Sequence, residues 1–316
     1  MTGAAPAADA ASVAVTNPPT RRGWLGFALA TTLLWGLWGA LTGISIERGF
    51  PETLIYVVWS LTMIPPALIV LARAGWKLDR SPAAVFYGLA IGLLGAGGQL
   101  LLFYAVTIGP AYLIFPVISL SPVVTIFLSL GILRERTTRL GTLGIVLALV
   151  ALPLFDFSPQ GAEGGGIGWF LLALLVMACW GVQAFFMKFA NTRMRAESIF
   201  VYMAIAGVML APAAWMMTDW SRPINWGWDG PGLTAAIQLL NAVGALSLVF
   251  AFRYGKAIVV APLTNAGAPL ITAAIALVIA GVVPGTLKTV ALLLALMAAA
   301  LLSFTTEAEG EAPSPP

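Results

Sequence analysis

The chain is cut into apolar stretches of membrane-crossing length. The runs fall at about 24–46, 53–72, 83–107, 110–133, 141–156, 167–189, 198–217, 233–252, 256–280 and 287–305. Crossing the hydrocarbon core of a bilayer takes about 20 apolar residues in a helix. Only 9% of the 316 residues are charged, against about a quarter in a soluble domain. The sequence therefore predicts an all-α membrane protein with ten transmembrane helices, embedded in the lipid bilayer as a multi-pass integral protein.

Basic residues orient the spans. With the N-terminus placed inside, the cytoplasmic side receives Arg21, Arg22, Arg73, Lys77, Arg80, Arg134, Arg136, Arg139, Lys188, Arg193, Arg195, Arg253 and Lys256, and the other side receives Arg48, Arg222 and Lys288. The split is 13 against 3 and uses all 16 Lys and Arg. Because positive residues concentrate on the cytoplasmic side, both termini are predicted inside, and a missed span would scramble the pattern. The outer segment "TDWSRPINWGWDG" (218–230) carries Trp220, Trp226 and Trp228. It reads either as an interfacial aromatic belt or as a lid.

The same inventory excludes other functions. The basic residues form no continuous patch, so nucleic acid is not an expected partner. The chain has no histidine and a single cysteine, Cys179. No acid lies well inside a span, so neither an enzyme nor a metal or cofactor site is expected. Residues 1–20 read as a disordered tail and 307–316, "EAEGEAPSPP", as an acidic one.

The stretch between the tails repeats itself. Trp35 and Trp180 are 145 apart. At an offset of 146, Tyr56 matches Tyr202, Pro66 matches Pro212, Gly98 matches Gly244, Gly109 matches Gly255 and Pro116 matches Pro262. Pro122 and Pro269 follow at 147. Residues 21–157 and 158–306 are thus predicted to be two five-helix repeats. Five is odd, so the copies enter the membrane from opposite sides, as in many secondary transporters with a substrate site where the halves meet.

The fourth helix of each repeat, "AYLIFPVISLSPVV" (111–124) and "IVVAPLTNAGAPL" (258–270), carries two prolines. Proline removes a donor and strands the carbonyl four residues earlier: Tyr112 and Ile118 in one copy, Ile258 and Asn265 in the other. Broken helix in a membrane belongs beside a polar cavity or packed protein. Candidate substrate-binding residues on these helices are Tyr112, Pro116, Ser119, Thr264 and Asn265. Trp35 and Trp38 share a helix face with Thr31 and Thr42, a stripe that either lines the cavity or packs on a neighbouring helix. Gln99 ends a glycine stripe, and Gln238, Asn241, Trp180 and Gln183 complete the candidate set. Amides inside membrane helices either join helices or bind polar ligands.

With the "WG" pairs, "IGPAYLIFPVISLSPVV", "YGKAIVVAPLTNAGAPL" and "LRERTTRLGTLGIVLAL" (133–149), the chain resembles the drug/metabolite transporter superfamily of the EamA type over residues 24–305. Glu135 fits the family's Leu-x-x-Glu-like turn, and "AGVVPGTLK" (280–288) lacks the glutamate. The resemblance implies a secondary transporter that moves small organic metabolites by alternating access, many relatives exporting amino acids and others carrying sugars or nucleotide sugars. With no charge well inside a span, the expected substrate is a small neutral or zwitterionic polar metabolite, amino-acid-like and exported across the bacterial cytoplasmic membrane. A sugar or nucleotide-sugar carrier of the same fold stays open, as does a non-transporting scaffold or sensor. The sequence leaves the oligomeric state open.

Overall fold

The structure is a computed structural model. It describes residues 23–132, 139–156, 167–190, 193–254, 264, 267–268, 271–272, 274–275, 277–279, 281 and 285–309. Pro262, Asn265, Pro269 and Glu135 lie outside the described residues, as do both predicted tails apart from 307–309, which continue the last helix.

The described residues are helical, with no strand among them. In chain order the helices are α1 (Gly23–Glu47), α2 (Glu52–Thr62), α3 (Ile64–Arg73), α4 (Pro82–Ile108), α5 (Ala111–Ile118), α6 (Ser121–Ile132), α7 (Arg139–Asp156), α8 (Gly168–Ala190), α9 (Ala196–Met216), α10 (Leu233–Tyr254) and α11 (Thr286–Glu309). Thr264, Gly267, Ala268, Ile271 and Thr272 are also helical. Among the described residues, six helical stretches are long and apolar enough to cross a membrane: Gly23–Glu47, Glu52–Arg73, Pro82–Ile108, Gly168–Met187, Ala196–Met216 and Trp228–Leu248.

Two breaks follow from proline. The fourth predicted span divides into α5 and α6 at Ser119–Leu120, where Pro122 cannot donate to the Ile118 carbonyl. Pro116 sits inside α5, and the Ser119 hydroxyl donates to the Pro116 carbonyl at 2.6 Å. The second break was not anticipated. It separates α2 from α3 at Met63, just before Pro65 and Pro66. There Met63 N–H still donates to Trp59 O at 3.2 Å and Ala67 N–H to Met63 O at 3.1 Å, so the two pieces continue as one apolar stretch with few stranded backbone groups. The Trp-rich segment also differs from a plain loop: Trp228–Gly232 makes a wide helical turn leading into α10.

The halves exchange partners. Helix α1 packs along α10, and α8 along α4. Glycines permit both approaches. A Cβ on Gly244 would lie 2.5 Å from Trp35 Cδ1, and one on Gly98 would lie 2.6 Å from Trp180 Nε1. A Cβ on Gly36 would lie 2.6 Å from Ile271 Cβ, and one on Gly181 would lie 2.5 Å from Val124 Cβ. Every member of one pair has its repeat counterpart in the other, which defines a pseudo-two-fold relation between the halves.

The ends of α9 carry a second set of crossed contacts. After α1, Arg48 pairs with Asp229 at 3.7 Å, and Asn225 donates to the Arg48 and Gly49 carbonyls from its side chain and backbone, both at 3.0 Å. At the opposite end, after α8, Arg195 pairs with Asp79 at 3.4 Å, and its N–H donates to the same carboxylate at 2.7 Å. In each case the loop after a repeat's first helix grips the segment before the other repeat's third helix.

Candidate functional site

The predicted polar residues of α1 and α10 meet one another. Thr31 Oγ1 donates to the Gly244 carbonyl at 3.1 Å, and Trp35 Nε1 to the Asn241 carbonyl at 3.2 Å. Trp38 Nε1 donates to Gln238 Oε1 at 2.8 Å, and Gln238 Nε2 donates to Thr42 Oγ1 at 3.3 Å. The four residues that share one face of α1 therefore all find partners on α10. In apolar surroundings these bonds join the helices, since a polar group left alone there is costly.

The counterpart seam behaves alike. Trp180 Nε1 donates to the Gly95 carbonyl at 3.4 Å, and Gln183 Nε2 to the Ile91 carbonyl at 3.0 Å. Thr125 Oγ1 donates to Gly181 O at 2.8 Å, and Thr272 Oγ1 to Gly36 O at 2.9 Å. Thr125 and Thr272 stand three residues after Pro122 and Pro269. The proline spacing could have singled them out, and the sequence reading missed them.

Trp38 stands at a crossing. Its ring meets Phe103 of α4 edge-on at 6.4 Å and Phe115 of α5 at 6.1 Å, while its N–H reaches α10. Phe103 in turn meets Tyr56 of α2 at 6.4 Å, and Tyr56 lies 5.2 Å from Trp59. Five helices are thus linked through side chains at the junction of the halves. Gln99 lies one turn from Phe103 and one turn from Gly95 on α4 and is buried. Ser119 is buried beside the break, Tyr112 is half-buried, and Thr264 is fully buried. Asn265 lies outside the described residues.

Among the described residues, two buried donors at this crossing have no hydrogen-bond partner: Gln99 Nε2 and Trp59 Nε1. Trp59 escaped the sequence reading because a tryptophan in an apolar run carries no local signal. Among the described residues no cluster of His, Cys, Asp or Glu could hold a metal ion. Charge collects at the bundle ends. There Asp219 accepts from the Ser221 hydroxyl at 2.6 Å and its N–H at 3.1 Å, and pairs with Arg222 at 3.0 Å. Those bonds, led by the hydroxyl, hold the Asp219 carboxyl below its ordinary range.

Comparison with known proteins agrees with this architecture. The EamA-like transporter family matches residues 22–155 and again 167–304. An uncharacterized protein of Methanocaldococcus jannaschii, MJ1333.1, is 29% identical over 103 residues, which cover 33% of this chain and 75% of that protein. A solved crystal structure superposes with a TM-score of 0.63 at 18% identity, over 92% of this chain and 99% of the other. At that identity the likeness is one of fold.

Proposed function

The chain belongs to the EamA-like transporter family, within the drug/metabolite transporter superfamily, and on that premise we propose that it is a secondary transporter for a small neutral or zwitterionic polar metabolite. The substrate is amino-acid-like and its net movement is export. Ten helices cross the membrane as two inverted five-helix repeats, residues 21–157 and 158–306, with both termini cytoplasmic. Alternating access moves the site between the two faces. The observation that carries this reading is the broken α5–α6 helix at Ser119–Leu120, buried beside the Trp38 crossing. A scaffold needs no helix interruption at the junction of its halves, whereas carriers place interrupted helices beside the substrate.

Trp35, Trp38, Gln99, Tyr112, Pro116, Ser119, Trp180, Gln183, Gln238, Asn241, Thr264 and Asn265 remain the proposed substrate-binding set. Those already bonded across the seams would shape the site by fixing helix positions. The test is efflux from proteoliposomes preloaded with labelled amino acids, sugars and nucleotide sugars. Protein-dependent release of amino acids supports the reading. Release of sugars or nucleotide sugars alone replaces the substrate class, and release of nothing favours a scaffold or sensor.

A further inference from the structure

A buried hydrogen-bond donor without a partner is rare and costly. Here two lie on helices that meet, α2 and α4. Gln99 is 4% exposed and Trp59 is 6% exposed, and neither Gln99 Nε2 nor Trp59 Nε1 has a partner. Their levels can be compared through α4. Its Phe103 meets Tyr56 of α2. Its Gly92 faces Ala206 of α9, where a Cβ would come within 2.7 Å, and the next α9 residue, Gly207, faces the Trp59 ring at 3.2 Å. Tyr56 also donates to the Gly207 carbonyl at 3.3 Å. Tyr56 and Trp59 thus flank the stretch of α4 from Gly92 to Phe103. Gln99 lies within that stretch, seven residues after Gly92 and four before Phe103, on the same side of the helix at about 100° per residue.

Both unmet groups are neutral N–H donors, and the neighbouring polar groups are already bonded. Gln238 is held by Trp38 and Thr42, and Tyr56 by Gly207. Such a pair calls for an acceptor, and its cost is recovered only when one arrives. We infer that Gln99 and Trp59 form the subsite for a hydrogen-bond-accepting oxygen of the substrate, either a carboxylate or an uncharged carbonyl. This assignment rests on the transport reading and narrows its substrate class: molecules without such an oxygen are poor ligands.

The test uses the full-length protein in detergent and follows thermal unfolding. Leucine, serine and phenylalanine are each compared with their primary amide and with the amine lacking the carbonyl carbon (3-methylbutylamine, ethanolamine, phenethylamine). The variants are Gln99→Leu and Trp59→Phe. The expected result is stabilisation of the wild type by at least one acid or amide, with the matching amine ineffective. In both variants the same shift needs about tenfold more ligand or is lost, while ligand-free Gln99→Leu melts no lower than wild type because an unmet donor is gone. Stabilisation by acids alone identifies a carboxylate; stabilisation by acids and amides identifies a carbonyl oxygen. The assignment is overturned if amines stabilise equally, if no acid or amide does, if either variant keeps the full shift, or if ligand-free Gln99→Leu melts lower. Flux in proteoliposomes separates the two readings: a wild type that transports but fails this test loses only the subsite, whereas one that moves nothing loses the transport function.

Discussion

Trp35 of α1 donates its indole N–H to the Asn241 carbonyl of α10 at 3.2 Å. Trp180 of α8 makes the corresponding bond to Gly95 of α4 at 3.4 Å. Each indole lies over a glycine, Gly244 or Gly98, that leaves no room for a Cβ. The hydrogen bond prevents the ring from swinging aside, so the glycine cannot be replaced without separating the helices.

Gly244→Ala and Gly98→Ala should therefore each destabilise the protein by about 1–3 kcal/mol, the usual cost of overpacking. Gly97→Ala is the control, because nothing lies within 4 Å of a Cβ there. Thermal unfolding in detergent measures all three. Equal melting of Gly97→Ala and Gly244→Ala would show that the α1–α10 seam is looser than its geometry implies.

Thr125→Val and Thr272→Val keep side-chain shape and remove the hydroxyls that reach Gly181 and Gly36. Membrane hydrogen bonds of this kind contribute about 0.6 kcal/mol on average and reach about 1.7. The two losses should be similar, and the double variant should show their sum, because the bonds lie in opposite seams. A loss confined to one variant would mean that the pseudo-two-fold contacts are not energetically equivalent.

The clasp at Asn225 offers a comparison of polar contacts. Arg48 and Asp229 are about half exposed, with side chains at 52% and 50%, so Arg48→Ala should cost no more than about 1 kcal/mol. Asn225→Ala removes side-chain bonds to Arg48 O, to Asp229 and from Gly227 N–H. It should cost more, about 1–2 kcal/mol, and speed proteolysis near 218–230. Faster cleavage in Arg48→Ala than in Asn225→Ala would reverse that ranking.

Sidedness can be read with the same loops. In a Cys179→Ala background, a cysteine at exposed Arg222 should react with an impermeant maleimide on intact cells. One at exposed Lys77 should react only after permeabilisation. These positions lie beyond opposite ends of the helical bundle and were assigned to opposite sides by the positive-inside count. Labelling of Lys77→Cys on intact cells would invert the orientation.

Much of this fold was legible because lipid allows few solutions. Apolar length marked the helices, and Pro122 marked the break at Ser119. The repeat offset gave the matching Trp35 and Trp180 before their partners were known. What could not be read was which side-chain surfaces meet. Thr31, Trp35, Trp38 and Thr42 shared a face whether that face met a cavity or α10, and only the fold places Gln238 opposite Trp38. Trp59 had no pattern around it, since its unmet N–H is a property of its neighbours. The α2–α3 break had a signal in Pro65 and Pro66, but the apolar run hid it.

Energy coupling gives the last test. Proton-driven carriers usually hold an ionisable group within the membrane, where protonation can be linked to substrate binding. Among the described residues, the acids lie in loops or in the end turns of helices. Asp79 is engaged by Arg195 and Asp229 by Arg48 and Asn225, while Glu47 and Asp219 are exposed. Glu197 is the buried acid among them, 8% exposed in the first turn of α9. Apart from Glu52, half-buried in the first turn of α2 and one turn before Tyr56, none stands near the Trp38 crossing in sequence or along its helix. Flux should therefore follow the substrate gradient without obligatory proton coupling. The measurement is amino-acid flux into proteoliposomes with and without an imposed pH gradient, at zero membrane potential. Equal accumulation in both conditions is expected, and Glu197→Gln should leave it unchanged. Uphill accumulation that needs the pH gradient and disappears in Glu197→Gln would place the coupling site at the end of α9 and make the protein a proton-driven carrier.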